Sequence, residues 1–331
     1  MVTMSSGGES KVLVLRLLLV QVLVLAASNG AAGQPAGLRV GFYGQSCPDA
    51  ESIVRNVTWA RVAGDGTLPG KLLRLFFHDC FPQGCDASVL LDGPDTEKAA
   101  PPNFSLGGLE LVDEVKAALE RACPGTVSCA DVIALATRDA VSFQFGRLLW
   151  EVETGRRDIL SSRRDDGMNL PNPEFVFPLL KDVFAVRGLT VADLVALSGA
   201  HTLGVTSCQF VSPRLYTFPG NGGVDPLIDA GYARQLKQQC PSTVAQGIVS
   251  LDPGSEFRFD TSYYATVKAN RGALLTDAAL LHDEEAARLV DEFQDLGKFL
   301  AAFAASIKKM GAIGVHTGDN GEIRRNCHFK N

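Results

Sequence analysis

Eight cysteines, at positions 47, 80, 85, 123, 129, 208, 240 and 327, are spread over almost the whole chain. Placed so widely they must either cross-link remote segments or hold metals, and the choice limits which folds are open. Metal ligation fits poorly. No C-x-x-C pair occurs, and Cys80 with Cys85 is a lone C-x4-C without the third cysteine that a plant-type iron–sulfur cluster needs. The N-terminus argues for cross-links instead. Lys11 precedes and Arg16 interrupts the apolar run VLVLRLLLVQVLVLAA, and the small residues Ala31, Ala32 and Gly33 follow, as in a secretory signal. Arg16 and Gln21 break the run in a way that disfavours a membrane anchor. Residues 1–33 are therefore expected to be a removed signal peptide and residues 34–331 the mature domain, in a compartment where the cysteines form four disulfides. Spacing alone leaves about 105 pairings open.

With 331 residues, 46% hydrophobic and 21% charged, the chain has material for a large core and lacks the composition of a disordered one. Its net charge is −6, or −7 once Lys11, Arg16 and Glu9 are removed. That acidity argues against a nucleic-acid partner, which needs a basic face. No second long apolar run follows, so a soluble mature chain without membrane contact is expected. Apolar residues recur at helical spacing over 109–123, 130–143, 192–201, 285–293 and 298–310. Ser128 with Asp131 and Thr190 with Asp193 have capping-box spacing, and Gly311 follows a last turn carrying Lys308 and Lys309. RLLWEVETG and GEIRRN are the only short strand candidates; NLPNPEF and FPGNGGVDP read as loops. The expected class is mostly α.

The stretch RLFFHDCFPQGCDASVLLD, residues 74–92, puts charged groups directly behind a core-like run, which is costly unless they are paired, ligated or in use. GKLLRLFFHDC is apolar enough for a buried helix, on which Arg74 and His78, four apart, share a face. Burying both as cations is expensive, so His78 is expected to be neutral and able to act as a base. The bland alternative is a hydrogen-bonded core histidine. Further on, Asp79, Asp86 and Ser88 offer hard oxygen donors on a loop that a Cys80–Cys85 link would close, which suits calcium. LDPGSEFRFD repeats that chemistry with Asp252, Ser255 and Asp260. In TVADLVALSGAHTLG, His201 lies near the end of an amphipathic helix beside Thr202, a setting that suits an axial ligand of haem iron. Ser198 does not make a hydrolase elbow, because G-x-S-x-G needs glycine where Ala196 and Ala200 stand.

Taken in order, FYGQSCP, RLFFHDCFPQGCDASVLLD, TEK, CPGTVSCADVIALATRDAV, TGRRD, DLVALSGAHTLG and FDTSYY resemble the class III secretory plant peroxidases, from residue 42 to residue 327. The resemblance implies a two-half helical fold with few short strands, one haem b held between a distal and a proximal half, and two calcium ions. It assigns His78 as the distal acid/base, Arg74 as its cationic partner, Phe77 over the haem, and Asn103 as acceptor of the other His78 ring proton. It assigns His201 as the iron ligand and Asp277 as the carboxylate partner of His201. Asp79, Pro82, Gly84, Asp86 and Ser88 resemble the distal calcium ligands, with Glu97 acting through a water. Thr202, Asp252, Ser255, Arg258 and Asp260 resemble the proximal ones. Pro171 matches the substrate entrance. The implied disulfides are Cys47–Cys123, Cys80–Cys85, Cys129–Cys327 and Cys208–Cys240.

The implied reaction is reduction of hydrogen peroxide to water with one-electron oxidation of phenolic donors, by a monomer in the apoplast or cell wall. That the chain stops four residues after Cys327 leaves no room for the C-terminal propeptide of vacuolar relatives. Three positions depart from the common pattern: Pro82 replaces a more usual valine, and Glu151 and Glu153 make the WEVETG segment acidic. Asn103 begins a sequon that conflicts with its implied role, so Asn56 is the better glycosylation candidate. Two competing classes stay open: a secreted calcium- or wall-binding scaffold without turnover, and a haem-free hydrolase using Ser198.

Overall fold

The computed structural model describes residues 37–220, 222–243 and 247–331; the expected signal peptide lies outside them. The described residues form twelve α-helices. In the first half they are α1 (Ala50–Val62), α2 (Leu68–Cys80), α3 (Leu109–Ala122) and α4 (Cys129–Ser142). In the second half they are α5 (Phe177–Val186), α6 (Val191–Ser198), α7 (Cys208–Ser212), α8 (Ala230–Gln239), α9 (Ser262–Lys268), α10 (Leu275–Ala279), α11 (Glu284–Glu292) and α12 (Leu296–Met310).

Every residue of α4 is buried, and α1, α2 and α3 pack around it. Such a helix cannot be amphipathic, so its polar residues must find partners inside. Asp131 accepts from Arg156 Nη1 at 2.7 Å and from Tyr43 Oη at 2.7 Å, and Arg138 lies against Glu51 and Asp139. Asp158, from TGRRD, accepts from the free backbone N–H groups of Cys129 and Ala130 at the α4 N-terminus. The expected capping box is only half made here. Ser128 accepts from Asp131 N, but the Asp131 carboxylate is drawn away by Arg156. At α6 the box is complete: Thr190 and Asp193 exchange both bonds, and Asp193 also accepts from Ser306 and Lys309 of α12. Thr190→Ala is expected to cost about 1 kcal/mol of stability, read as a lower urea midpoint.

The strand expectation needs correction. RLLWEVETG and GEIRRN form only isolated bridges, Arg39 with Thr154 and Asp158 with Glu322, because their neighbours are irregular loops. The two-stranded sheet lies elsewhere, pairing β1 (Val205–Ser207) with β2 (Ile248–Ser250) in antiparallel register. Three residues a strand is too short to leave an alternation visible in sequence. Gly311 does not end α12 in a left-handed cap either; its φ is −65°.

All four disulfides join the cysteines that the resemblance implied. Cys80–Cys85 closes the loop after α2, and that loop meets the segment after α12 backbone to backbone. Cys85 N donates to Ile313 O at 3.0 Å, and a Cβ on Gly84, whose φ is +156°, would sit 2.4 Å from Gly314 O. Gly84→Ala is expected to destabilise by about 1–3 kcal/mol through backbone strain alone, again measurable in urea.

Candidate active site

α2 carries the first half of the site. Pro69 fits its first turn, and Leu72, Leu75 and Phe76 turn into the core. His78 is only 6% exposed, and its Nδ1 lies 2.6 Å from Asn103 Oδ1. Asn103 Nδ2 donates to Glu97 O at 2.7 Å, which fixes the amide so that its oxygen faces the ring. His78 Nδ1 is therefore the donor, and Nε2 keeps its lone pair. Burial, then the charge of Arg74, push the His78 pKa down to about 3 against the opposing hydrogen bond to Asn103. Asn103 is itself buried, which agrees with its poor standing as a glycan acceptor, whereas Asn56 is exposed.

Arg74 departs from expectation: it is half-buried rather than buried. Its guanidinium donates to Ser105 O at 2.9 Å, Ser105 Oγ at 3.1 Å and Pro102 O at 2.9 Å. The loop that orients His78 through Asn103 thus also holds Arg74. Phe77, on the same helix, stands edge-on to His78 and packs on Phe81.

The second half of the site follows α6. His201 sits on a 3₁₀ turn, Gly199–Thr202, rather than within the helix. Glycine is required at its start, because a Cβ on Gly199 would lie 2.5 Å from both Phe299 and Tyr264 Oη. His201 Nδ1 is 2.7 Å from Asp277 Oδ1 on α10. The ring is 34% exposed, the carboxylate 1%. Burial lowers the basicity of His201, but the Asp277 charge outweighs it and the net direction is up. With Nδ1 taken, Nε2 is the nitrogen left to bind a metal. Gly70 of α2 packs on Leu203 and Gly204, so the two histidine-bearing segments are neighbours. Pro171 is half-buried in an irregular loop tied to α10 by Thr276 N to Pro173 O.

Two oxygen clusters flank these histidines. In the first, both carboxylate oxygens of Asp79, Ser88 Oγ and Glu97 Oε2 are buried without a hydrogen-bond partner. Burial, then Asp86 and Glu97, raise the Asp79 pKa; burial also raises Asp86, and Glu97 is pushed up to about 8. Orphaned, mutually repelling buried carboxylates are the chemistry of a hard cation site. The carbonyl of Pro82 is partly engaged already, accepting from Arg187 Nη2. In the second cluster Thr202 Oγ1 lies 3.0 Å from Asp252, 3.2 Å from Arg258 O and 3.3 Å from Asp260, and Ser255 donates to Asp260. Ser262 and Thr266 join it by donating to Asp252, although neither stood out in the sequence. Among the described residues no three His, Cys, Asp or Glu side chains converge on one point. Either site would depend on carbonyl and hydroxyl donors as well.

A family model described as peroxidase matches residues 54–295. The chain belongs to the peroxidase family. It is 46% identical to Peroxidase 24 of Arabidopsis thaliana over 305 residues, covering 89% of this chain and 87% of that protein. Peroxidase 1 and Peroxidase 27 of the same plant are each 44% identical, over 321 and 315 residues, covering 95% and 94% of this chain and 98% and 96% of theirs. The protein is therefore a plant haem peroxidase, an enzyme that uses hydrogen peroxide to oxidise a donor.

Proposed function

We propose that this peroxidase takes electrons one at a time from small phenolic donors, with His78, Arg74, Asn103 and Phe77 on the distal side of a single haem b and His201 with Asp277 on the proximal side. The observation that carries the reading is the contrast between the two imidazoles. Each is held through Nδ1, one by a neutral amide beside a cation and the other by a buried carboxylate. The first is thereby a neutral base and the second an electron-rich ligand.

Haem iron, when bound, supplies the redox chemistry that splits peroxide and stores its oxidising equivalents. The chain supplies the rest. His78 Nε2 takes a proton from one peroxide oxygen and returns it to the other, which departs as water. Arg74, steadied by the carbonyls of Pro102 and Ser105, stabilises negative charge as the bond breaks. Asp277 holds the His201 proton and so strengthens the ligand.

The orphaned oxygens of Asp79, Ser88 and Glu97 support a distal calcium held with Asp86, Gly84 and Pro82; Thr202, Asp252, Ser255, Arg258 and Asp260 would hold a proximal one. Pro171 would lie at the donor entrance. Four disulfides support an oxidising, extracellular location, which we assign to the apoplast or cell wall. Residues 34–331 would then act as one mature domain and as a monomer, without a nucleic-acid or membrane partner.

Purified protein should show a Soret band and oxidise phenols only when peroxide is present. A colourless protein, or a red one without turnover, overturns the reading, the latter in favour of a scaffold. Because burial and the Arg74 charge push the His78 pKa down to about 3, the rate of reaction with peroxide should be flat from neutral pH downwards and fall only as pH approaches that value. Stopped-flow traces that already decline around the ordinary histidine pKa would contradict this.

A further inference from the structure

FDTSYY carries two tyrosines that the reaction described above does not use. Tyr263 and Tyr264 are both fully buried, yet their hydroxyls go to different places. Tyr264 donates to Val195 O at 3.0 Å, an ordinary backbone acceptor. Tyr263 donates to Asp277 Oδ1 at 2.9 Å, the same oxygen that lies 2.7 Å from His201 Nδ1. Oδ2 of Asp277 accepts from Leu274 N at 3.0 Å. The Tyr263 and His201 rings stand edge to face, 6.0 Å apart at 86°.

This carboxylate has little freedom to move. Arg214, paired with Asp225, donates to the carbonyls of Gly272, Ala273 and Leu274 at 2.6, 3.1 and 2.9 Å, clamping the segment that leads into α10. A hydroxyl added to such a fixed oxygen acts mainly on its charge. Each donor stabilises negative charge on Oδ1 and weakens the pull of that oxygen on the others. His201 N–H is then less polarised, and Nε2 less electron-rich, than Asp277 alone would make it.

We propose that Tyr263 is a positioning residue for the proximal pair, setting the donor strength of His201 by competing for Asp277 Oδ1. The proposal rests on His201 being the iron ligand. Burial, then the Asp277 charge, hold the Tyr263 hydroxyl well above its ordinary pKa, so it remains a donor.

The test compares Tyr263→Phe, Tyr264→Phe and Asp277→Asn holoenzymes by redox titration of the haem and by the iron–imidazole stretching frequency of the ferrous form. Tyr263→Phe keeps the ring and frees Oδ1 for His201 alone. The equilibrium for haem reduction should become about tenfold less favourable, which is about 59 mV for one electron, and the stretch should rise. Tyr264→Phe removes an equally buried hydrogen bond and should move neither. Replacing Tyr263 with a ring-fluorinated tyrosine, a stronger donor, should shift both in the opposite direction and supplies the measurement if the phenylalanine variant does not fold. If Asp277→Asn moves the stretch but neither change at residue 263 does, the proposal fails and the ligand reading stands. If Asp277→Asn moves nothing, the ligand reading fails and takes the proposal with it.

Discussion

Replacing His78 with alanine is expected to slow the reaction with hydrogen peroxide by about 10²- to 10⁴-fold while the protein still folds and still takes up haem. The proton shuttle is lost but the proposed iron ligand, His201 on its separate 3₁₀ turn, is untouched. Folding should survive because His78 makes one side-chain hydrogen bond, to Asn103, and the amide of Asn103 stays anchored to Glu97 O. Asn103→Asp makes a useful partner experiment. A carboxylate beside Nδ1 would favour imidazolium and should reduce the rate by removing the neutral base rather than the ring. Stopped-flow mixing with peroxide reads both. A His78→Ala protein that reacts at close to the wild-type rate would show that another group moves the proton.

The second large effect concerns the distal oxygen cluster. Removing the calcium we propose at Asp79, Asp86 and Glu97 would leave buried carboxylates repelling one another, and an uncompensated buried charge of this kind costs about 3–5 kcal/mol. The direction with pH follows from their raised pKa values. Glu97 goes from an ordinary 4.5 to about 8, and Asp79 and Asp86 also rise above 3.8. The folded, calcium-free chain binds these protons more readily than the unfolded chain does. Its stability is therefore greatest below the ordinary carboxylate range and is lost as pH climbs towards about 8. Chelated protein should melt progressively earlier from pH 5 to pH 8, and calcium-loaded protein should not. Equal melting of the two across that range, with calcium loss verified by metal analysis, would sink the assignment of this cluster as a cation site.

Much of this site could be read from sequence because its parts are local. Arg74 and His78 are one helical turn apart, and Asp79, Asp86 and Ser88 lie within ten residues of one another. Helices with one apolar face, such as α3 and α12, were legible for the same reason. What escaped was set by contacts distant along the chain. Tyr263 matters only because α10 brings Asp277 to it, and the hold on Arg74 comes mainly from backbone carbonyls, which no residue type reports. The β1–β2 pair gave no signal, and neither did the change from α-helix to a 3₁₀ turn at Gly199, where Phe299 and Tyr264 from distant parts of the chain come too close for a side chain. Arg187 was invisible for a further reason: nothing in an exposed-looking helix end foretells a bond to Pro82 O.

The contact between Gly84 and Gly314 also bears on the order in which the enzyme can be assembled. Arg324, fully buried, donates to the carbonyls of Ala87 and Asp86, and His328 O accepts from Asp92 N, so these distant residues wall in the loop that follows Asp79 and carries Asp86. A nascent chain emerges N-terminus first, so this wall is made more than 200 residues after the loop it backs. Until it arrives, the distal loop lacks its backing and Cys129 lacks its partner Cys327. A chain cut short before residue 313 should therefore leave the ribosome with His78 and His201 written but with the loop after Asp79, where we propose a calcium, left without its backing.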